Sequence, residues 1–198
     1  MKEKFMPPVV LTLICVIVSA LLVVAYNVTY VDTTGVLTEK LKESFENILG
    51  ESDFVILTTT DSEGKKQALE YGDVVNVIID KNSDNIILEV VADGYTKDGI
   101  DILVGIDKDG KVIGTSVVSL AETPGLGTKV NNDDFLSKFK SADKNTDFDK
   151  LDGITGATYS SKGVKSAVKT AISTFEEKKD EILSVKNAMN SGEESKSE

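Results

Sequence analysis

The stretch LDGITGATYSSKGVKSAV, residues 151–168, sets a crowd of small and hydroxylated residues against the start of an amphipathic helix. Downstream of Thr158, the residues Val164, Val168, Ala171, Ile172 and Phe175 recur at helical spacing, which predicts a helix running to about residue 186 with one apolar face. Lys162, Lys165 and Lys169 fall on its early turns. Thr158, Ser160 and Ser161 therefore sit at or just before a helix N-terminus, where free backbone N–H groups and the positive end of the helix dipole favour a phosphate. Gly156 and Ala157 permit close approach, and Lys162 or Lys165 can screen an anion. An ordinary N-cap at Thr158 or Ser160 accounts for the same hydroxyls. The residues alone leave both readings open.

Upstream, DFVILTTT, DVVNVIID and NIILEVVADG read as strands bounded by Asp, Asn, Ser or Gly. IDILVGIDKDGKVIGTSVVSL, residues 100–120, reads as two strands joined by a turn over Asp107–Gly110, with Asp109-Gly110 as the hairpin signal. The expected architecture is α+β, an antiparallel sheet with packed helices. After the hairpin comes AETPGLGTK, residues 121–129. Pro124 stiffens this loop, Gly125 and Gly127 free it, and Glu122, Thr123 and Leu126 give it charge, a hydroxyl and an apolar tip. It reads as a connecting loop, or as a ligand loop if a second element agrees.

Toward the N-terminus, VVLTLICVIVSALLVVAY, residues 9–26, carries no charge, and NVTY can extend the run toward Tyr30. About 20 apolar residues span a bilayer, so residues 9–29 are expected to form a transmembrane helix. A cleaved signal peptide ending near Ala25 is the alternative. Lys2 and Lys4 lie before the run and Lys40 is the first Lys beyond it. The positive-inside rule then keeps residues 1–8 in the cytoplasm and the rest outside. In TTGVLTEKLKESFENILG, helical spacing of Val36, Leu37, Leu41, Phe45, Ile48 and Leu49 predicts a short helix ending at Gly50. Residues 30–84 thus read as a membrane-proximal helix and first strands, and residues 85–190 as the main domain. The polar tail SGEESKSE, residues 191–198, is expected to be disordered.

Composition narrows the chemistry. The chain has 198 residues, no His and no Trp, and its 22 cationic side chains are all Lys, against 33 Asp and Glu, for a net charge of −11. Nucleic acid is not an expected partner of so acidic a surface. The lone Cys15 lies in the apolar run, as a small hydrophobe or, less fittingly after Ile14, a lipidation site. Without His or a second Cys the chain lacks ligands for haem attachment, an iron–sulfur cluster or a zinc site. Redox chemistry here needs an organic cofactor.

DGITGATYSSKG, residues 152–163, together with ETPGLG, residues 122–127, resembles the FMN-binding domain of the G subunit of Rnf electron-transport complexes and of the C subunit of sodium-translocating NADH:quinone reductase. The likeness runs from about residue 85 to residue 175. It implies that a flavin transferase joins FMN through its phosphate to Thr158, with Asp152, Thr155, Gly156 and Ala157 completing the signature. The neighbouring hydroxyls of Ser160 and Ser161 can donate to the phosphate oxygens and Lys162 can screen its charge, and the resemblance implies that Glu122, Thr123, Gly125 and Leu126 line the flavin. One departure is Leu120, where the family often has His. Chain length favours the Rnf subunit. The resemblance then implies a single-pass inner-membrane protein with its FMN domain outside the cytoplasm. Its partners would be the other membrane subunits of a complex coupling ferredoxin oxidation and NAD+ reduction to ion translocation. A stand-alone extracytoplasmic electron shuttle and a non-redox surface module are the alternatives.

Overall fold

Alternation governs the centre of the chain. In strand β5 (Ile86–Ala92), Ile86, Leu88 and Val90 point to one side and Ile87 and Glu89 to the other, and all five are buried. A strand covered on both faces belongs inside a sheet with a layer on each side. The computed structural model describes residues 2–29, 39–50, 52–60 and 65–194, in two compact units, Met1–Thr33 and Thr34–Glu198.

In the second unit β1 (Phe54–Ile56), β4 (Val74–Asp80), β5, β6 (Ile100–Ile106) and β7 (Val112–Leu120) form one antiparallel sheet in the order β1-β4-β5-β6-β7. β2 (Thr58–Thr60) and β3 (Lys66–Ala68) pair as a separate ribbon. The β6–β7 turn forms as expected. Asp107 Oδ1 accepts from the Asp109 and Lys111 N–H groups at 2.9 Å each, and Gly110 takes φ 82°. On one face lies the long helix α4 (Thr158–Glu194), whose Val164, Val168, Ala171, Ile172 and Phe175 pack with Ile86, Leu88, Val90, Ile100, Ile102 and Val104. Each such aliphatic or aromatic burial is worth about 1.5–3 kcal/mol. On the other face α2 (Glu39–Leu49) brings Phe45 to Phe54, with ring centroids 5.2 Å apart, over Ile78, Ile87 and Leu103. Ile48 of α2 fits close because β6 and β7 carry Gly105 and Gly114 opposite each other there.

The α+β class and antiparallel sheet agree with expectation, while several boundaries move. The sheet runs straight across residues 84 and 85, so the compact unit begins at Thr34 rather than at 85. The reason is that β4 pairs with β5 along Ile79↔Ile86 and its neighbours. DFVILTTT divides at buried Leu57, whose N–H donates to Val77 O at 2.7 Å in the β1–β4 register while its carbonyl accepts from Leu69 N–H at 3.0 Å in the β2–β3 register. β3 and the four-residue helix α3 (Asp133–Leu136) had no counterpart in the sequence pattern. α4 continues beyond about residue 186 to Glu194 and takes in the first four residues of the tail expected to be disordered. Its last turns hold no Pro, and an established helix propagates one bond per residue even through Asn187, Asn190 and Ser191, and through Gly192 at a cost of about 1 kcal/mol. Residues 195–198, Val36 and Leu37 lie outside the described residues.

The first unit is helix α1 (Lys2–Thr29), unbroken through the uncharged run. Side chains are described over residues 10–26, and Leu11, Leu13, Val16, Leu21, Leu22 and Tyr26 among them are exposed. Among the described residues no helix is long and apolar enough to cross a membrane.

α4 approaches the sheet closely at Gly163, where a Cβ would overlap the Asp93 carbonyl oxygen and lie 2.6 Å from Ile100 Cδ1. Gly163→Ala should therefore lose about 1–3 kcal/mol through overpacking, outweighing the gain of roughly 1 kcal/mol in helix propensity. Chemical denaturation of the variant should show a lower midpoint; an unchanged or higher one would show that α4 can move away freely.

Candidate functional site

The first turn of α4 is built by its own small residues. Ala157 N–H donates to Ile154 O at 2.9 Å, and Ser161 N–H donates to Ala157 O at 2.8 Å. Ala157, whose carbonyl accepts the first helical bond, is therefore the N-cap, and Thr158 is the first helical residue. Ser161, buried, turns its Oγ back to accept from Ile154 N–H at 2.9 Å, and Gly156 takes φ 82° to let the loop double over. Lys165 Nζ donates to Leu151 O, and Lys138 Nζ to Asp152 O at 3.2 Å. The loop is thus tied at both ends while Thr155, Gly156 and Thr158 stay exposed. The hydroxyls at Ser160 and Ser161 serve tertiary contacts rather than an N-cap.

Glu122 lies at the end of β7 and is 5% exposed. Its Oε1 accepts from Thr96 N–H at 3.0 Å and its Oε2 from Tyr95 N–H at 3.1 Å; Ser160 Oγ also donates to Oε2. Space for this carboxylate exists because three surrounding positions lack side chains. A Cβ on Gly94, Gly99 or Gly127 would lie 2.6, 2.7 or 2.8 Å from a Glu122 oxygen. Burial alone pushes the Glu122 carboxyl up, but the hydrogen bonds from Ser160, Thr96 and Tyr95 together hold it below the ordinary Glu value.

Beyond Glu122 the chain closes into a compact turn. Thr123 O accepts from Leu126 N–H at 3.1 Å and from Thr128 N–H at 3.3 Å, and Gly125 N–H donates to Thr128 Oγ1 at 2.9 Å. Thr123, Gly125 and Leu126 stay exposed. Leu126 Cδ2 would be 3.7 Å from a Cβ on Gly156, so the tips of the two loops meet. Tyr95, 73% exposed, and Tyr159, 65% exposed, lie edge to face with centroids 6.1 Å apart. Beside Thr158 there is therefore an exposed, mostly apolar surface of Leu126, Tyr95 and Tyr159.

The fold brings together the two stretches the sequence singled out, through Glu122 with Ser160 and Leu126 with Gly156. It places Asp152 and Lys162 at the exposed rim and turns the Glu122 carboxylate inward, its oxygens already engaged. Tyr95, Thr96 and Tyr159 escaped the sequence reading. The signal was Gly94 and Gly99 bracketing YTKD, a loop with room at both ends for another side chain.

An exposed hydroxyl on the first turn of a long helix, flanked by an apolar surface and a glycine-lined loop, suits a phosphate carrying a flat ring. Residues 94–173 match the FMN-binding domain family, which covers both loops. The G subunit of the ion-translocating oxidoreductase complex of Aliivibrio fischeri is 34% identical over 156 residues, 73% of this chain and 72% of that protein. The chain belongs to this family of ion-translocating oxidoreductase G subunits. The Methanosarcina acetivorans member is 30% identical over 86% of this chain and 94% of its own length. The G subunit of the proton-translocating ferredoxin:NAD(+) oxidoreductase complex of Clostridium ljungdahlii is 43% identical over 37% of this chain and 44% of its own length.

A carboxylate held below its ordinary value stabilises the fold only while ionised. Glu122 should contribute fully above the ordinary value of 4.5 and lose its contribution as pH falls through its lower folded value. Glu122→Gln should accordingly melt below wild type near neutral pH, and the gap should close on acidification past that value. Asp80 is also held low, burial opposed by bonds from Ser52, Ser83 and Asn82 and by the Lys186 charge, so acid sensitivity should persist in the variant. A gap independent of pH would place the effect in packing rather than charge.

Proposed function

We propose that the chain is the covalent-FMN electron-transfer subunit of an Rnf-type complex, anchored by α1 with its flavin domain outside the cytoplasm. The observation that carries this reading is Thr158, exposed on the first turn of α4 with Leu126, Tyr95 and Tyr159 around it. Attachment forms the Thr158 Oγ1–P bond and breaks a phosphoanhydride bond of an activated flavin nucleotide. The nucleotide leaving group departs with the bonding electrons, and the threonine proton passes to a base of the flavin transferase or to water. FMN, once bound, supplies the electron-carrying chemistry. The chain's own part is to hold the phosphodiester at a helix N-terminus and offer an apolar face to the ring.

Electrons would pass between the other membrane subunits of the complex, which couples ferredoxin oxidation and NAD+ reduction to ion translocation. Support for this role comes from the names of the relatives, and support for the anchor from the uncharged residues 9–26 within one unbroken helix, whose apolar side chains such as Val10, Leu11, Leu21 and Leu22 are exposed. A covalent bond is of use outside the cytoplasm, where a dissociated flavin is lost by dilution.

Thr158→Val keeps the side-chain shape and removes the acceptor oxygen. Flavin fluorescence that survives denaturation should vanish in this variant, while Thr155→Val should retain part of it. Fluorescence remaining on denatured Thr158→Val protein would move the acceptor elsewhere. A reporter fused after residue 198 should be active only if it works outside the cytoplasm; activity of a cytoplasm-dependent reporter would overturn the topology.

A further inference from the structure

We propose that Glu122 is a positioning residue for flavin attachment: through Ser160 it fixes the first turn of α4, so that the Thr158 hydroxyl is held outward where phosphate must arrive. This rests on the reading of Thr158 as acceptor. It differs from the role the family resemblance implies for Glu122, that of lining the flavin.

Three observations carry it. The carboxylate is buried and its oxygens accept from Tyr95 N–H, Thr96 N–H and Ser160 Oγ, all within the protein. Its surroundings are shaped for it, since a Cβ on Gly94, Gly99 or Gly127 would come within 2.8 Å of its oxygens. Its reach covers all three segments around the acceptor: the end of β7, the β5–β6 loop with Tyr95, and the residue two positions after Thr158. Thr158 itself is exposed and Ser160 is 2% exposed, so the same turn is anchored on its inner side and open on its outer side. Ser161, accepting from Ile154 N–H, anchors the incoming loop by a separate bond, which leaves Ser160 as the link to Glu122.

Orientation of a reacting group is worth large factors in rate, and displacement by about 1 Å can cost on the order of 100-fold. Loss of the Glu122–Ser160 link should therefore slow attachment without weakening recognition of the acceptor protein. The test uses the full chain, purified without flavin, with its transferase and a flavin dinucleotide, and follows flavin incorporation by intact mass. Ser160→Ala should lower the rate at saturating chain by about 10- to 100-fold while the half-saturating concentration stays close to wild type. Ser160→Thr, which keeps the hydroxyl, should restore the rate. Before any flavin is added, Glu122→Gln should speed amide exchange at Tyr95 and Thr96, since one acceptor oxygen becomes a donor amide.

Folded Ser160→Ala protein that loads at the wild-type rate would overturn the proposal, as would a Ser160→Thr variant as slow as Ser160→Ala. Unchanged exchange at Tyr95 and Thr96 in Glu122→Gln would do the same. If Glu122→Gln does not fold, the Ser160 pair decides. A wild-type chain that gains no flavin mass at Thr158 would sink the acceptor reading, and the proposal with it, an outcome distinct from equal loading of wild type and variants.

Discussion

A buried carboxylate joins the parts of this domain that the chain keeps far apart. Glu122 takes bonds from Tyr95, Thr96 and Ser160, which lie 27, 26 and 38 positions away. An unpaired ion in that position would cost several kcal/mol, so the charge is tolerable only when all its donors arrive together. That requirement makes the β5–β6 loop, the loop after β7 and the start of α4 depend on one another. The glycines around it follow from the same need, since any side chain at Gly94, Gly99 or Gly127 would occupy the carboxylate's space.

The sheet supplies the frame on which this junction stays rigid. α4 buries one face against β4, β5 and β6, and α2 covers the other, so β5 is apolar on both sides except where Glu89 accepts from Asn76 at 2.6 Å. At the opposite end Lys186, 8% exposed, donates to Ser83 O at 3.1 Å and pairs with Asp84 at 3.3 Å. α4 is thus fastened near its start by Ser160 and far along its length by Lys186. A site on an element held at two points keeps its geometry better than one on a loop.

Function divides between fastened and exposed groups along the same few residues. Ser160 and Ser161 face inward and hold structure, whereas Thr158 and Tyr159 face outward beside Leu126 and Tyr95. A helix offers this alternation naturally, because neighbouring positions point about 100° apart. The crowding of hydroxyls in one turn therefore divides into an outward, exposed Thr158 and inward groups that hold the turn in place.

Local pattern determined the elements whose periodicity is strong. The apolar face of α4 from Val164 to Phe175, the β6–β7 hairpin at Asp109-Gly110, and the strands around Ile78 and Ile87 were legible because period and turn chemistry act over a few residues. The start of α4 at Thr158 was legible too, since hydroxyls and glycine before an apolar run announce it. Tertiary structure alone decided what each polar group does. Glu122 read as part of a connecting or ligand loop and is buried, because two of its three donors are backbone N–H groups that carry no side-chain signature and the third, Ser160, lies 38 positions away. Tyr95 came to Tyr159 only through the fold of the sheet, and the aromatic packing of Phe135, Phe139 and Phe148 ordered a stretch without periodicity. Contacts between segments distant in sequence depend on three-dimensional register, and a one-dimensional pattern holds no record of it.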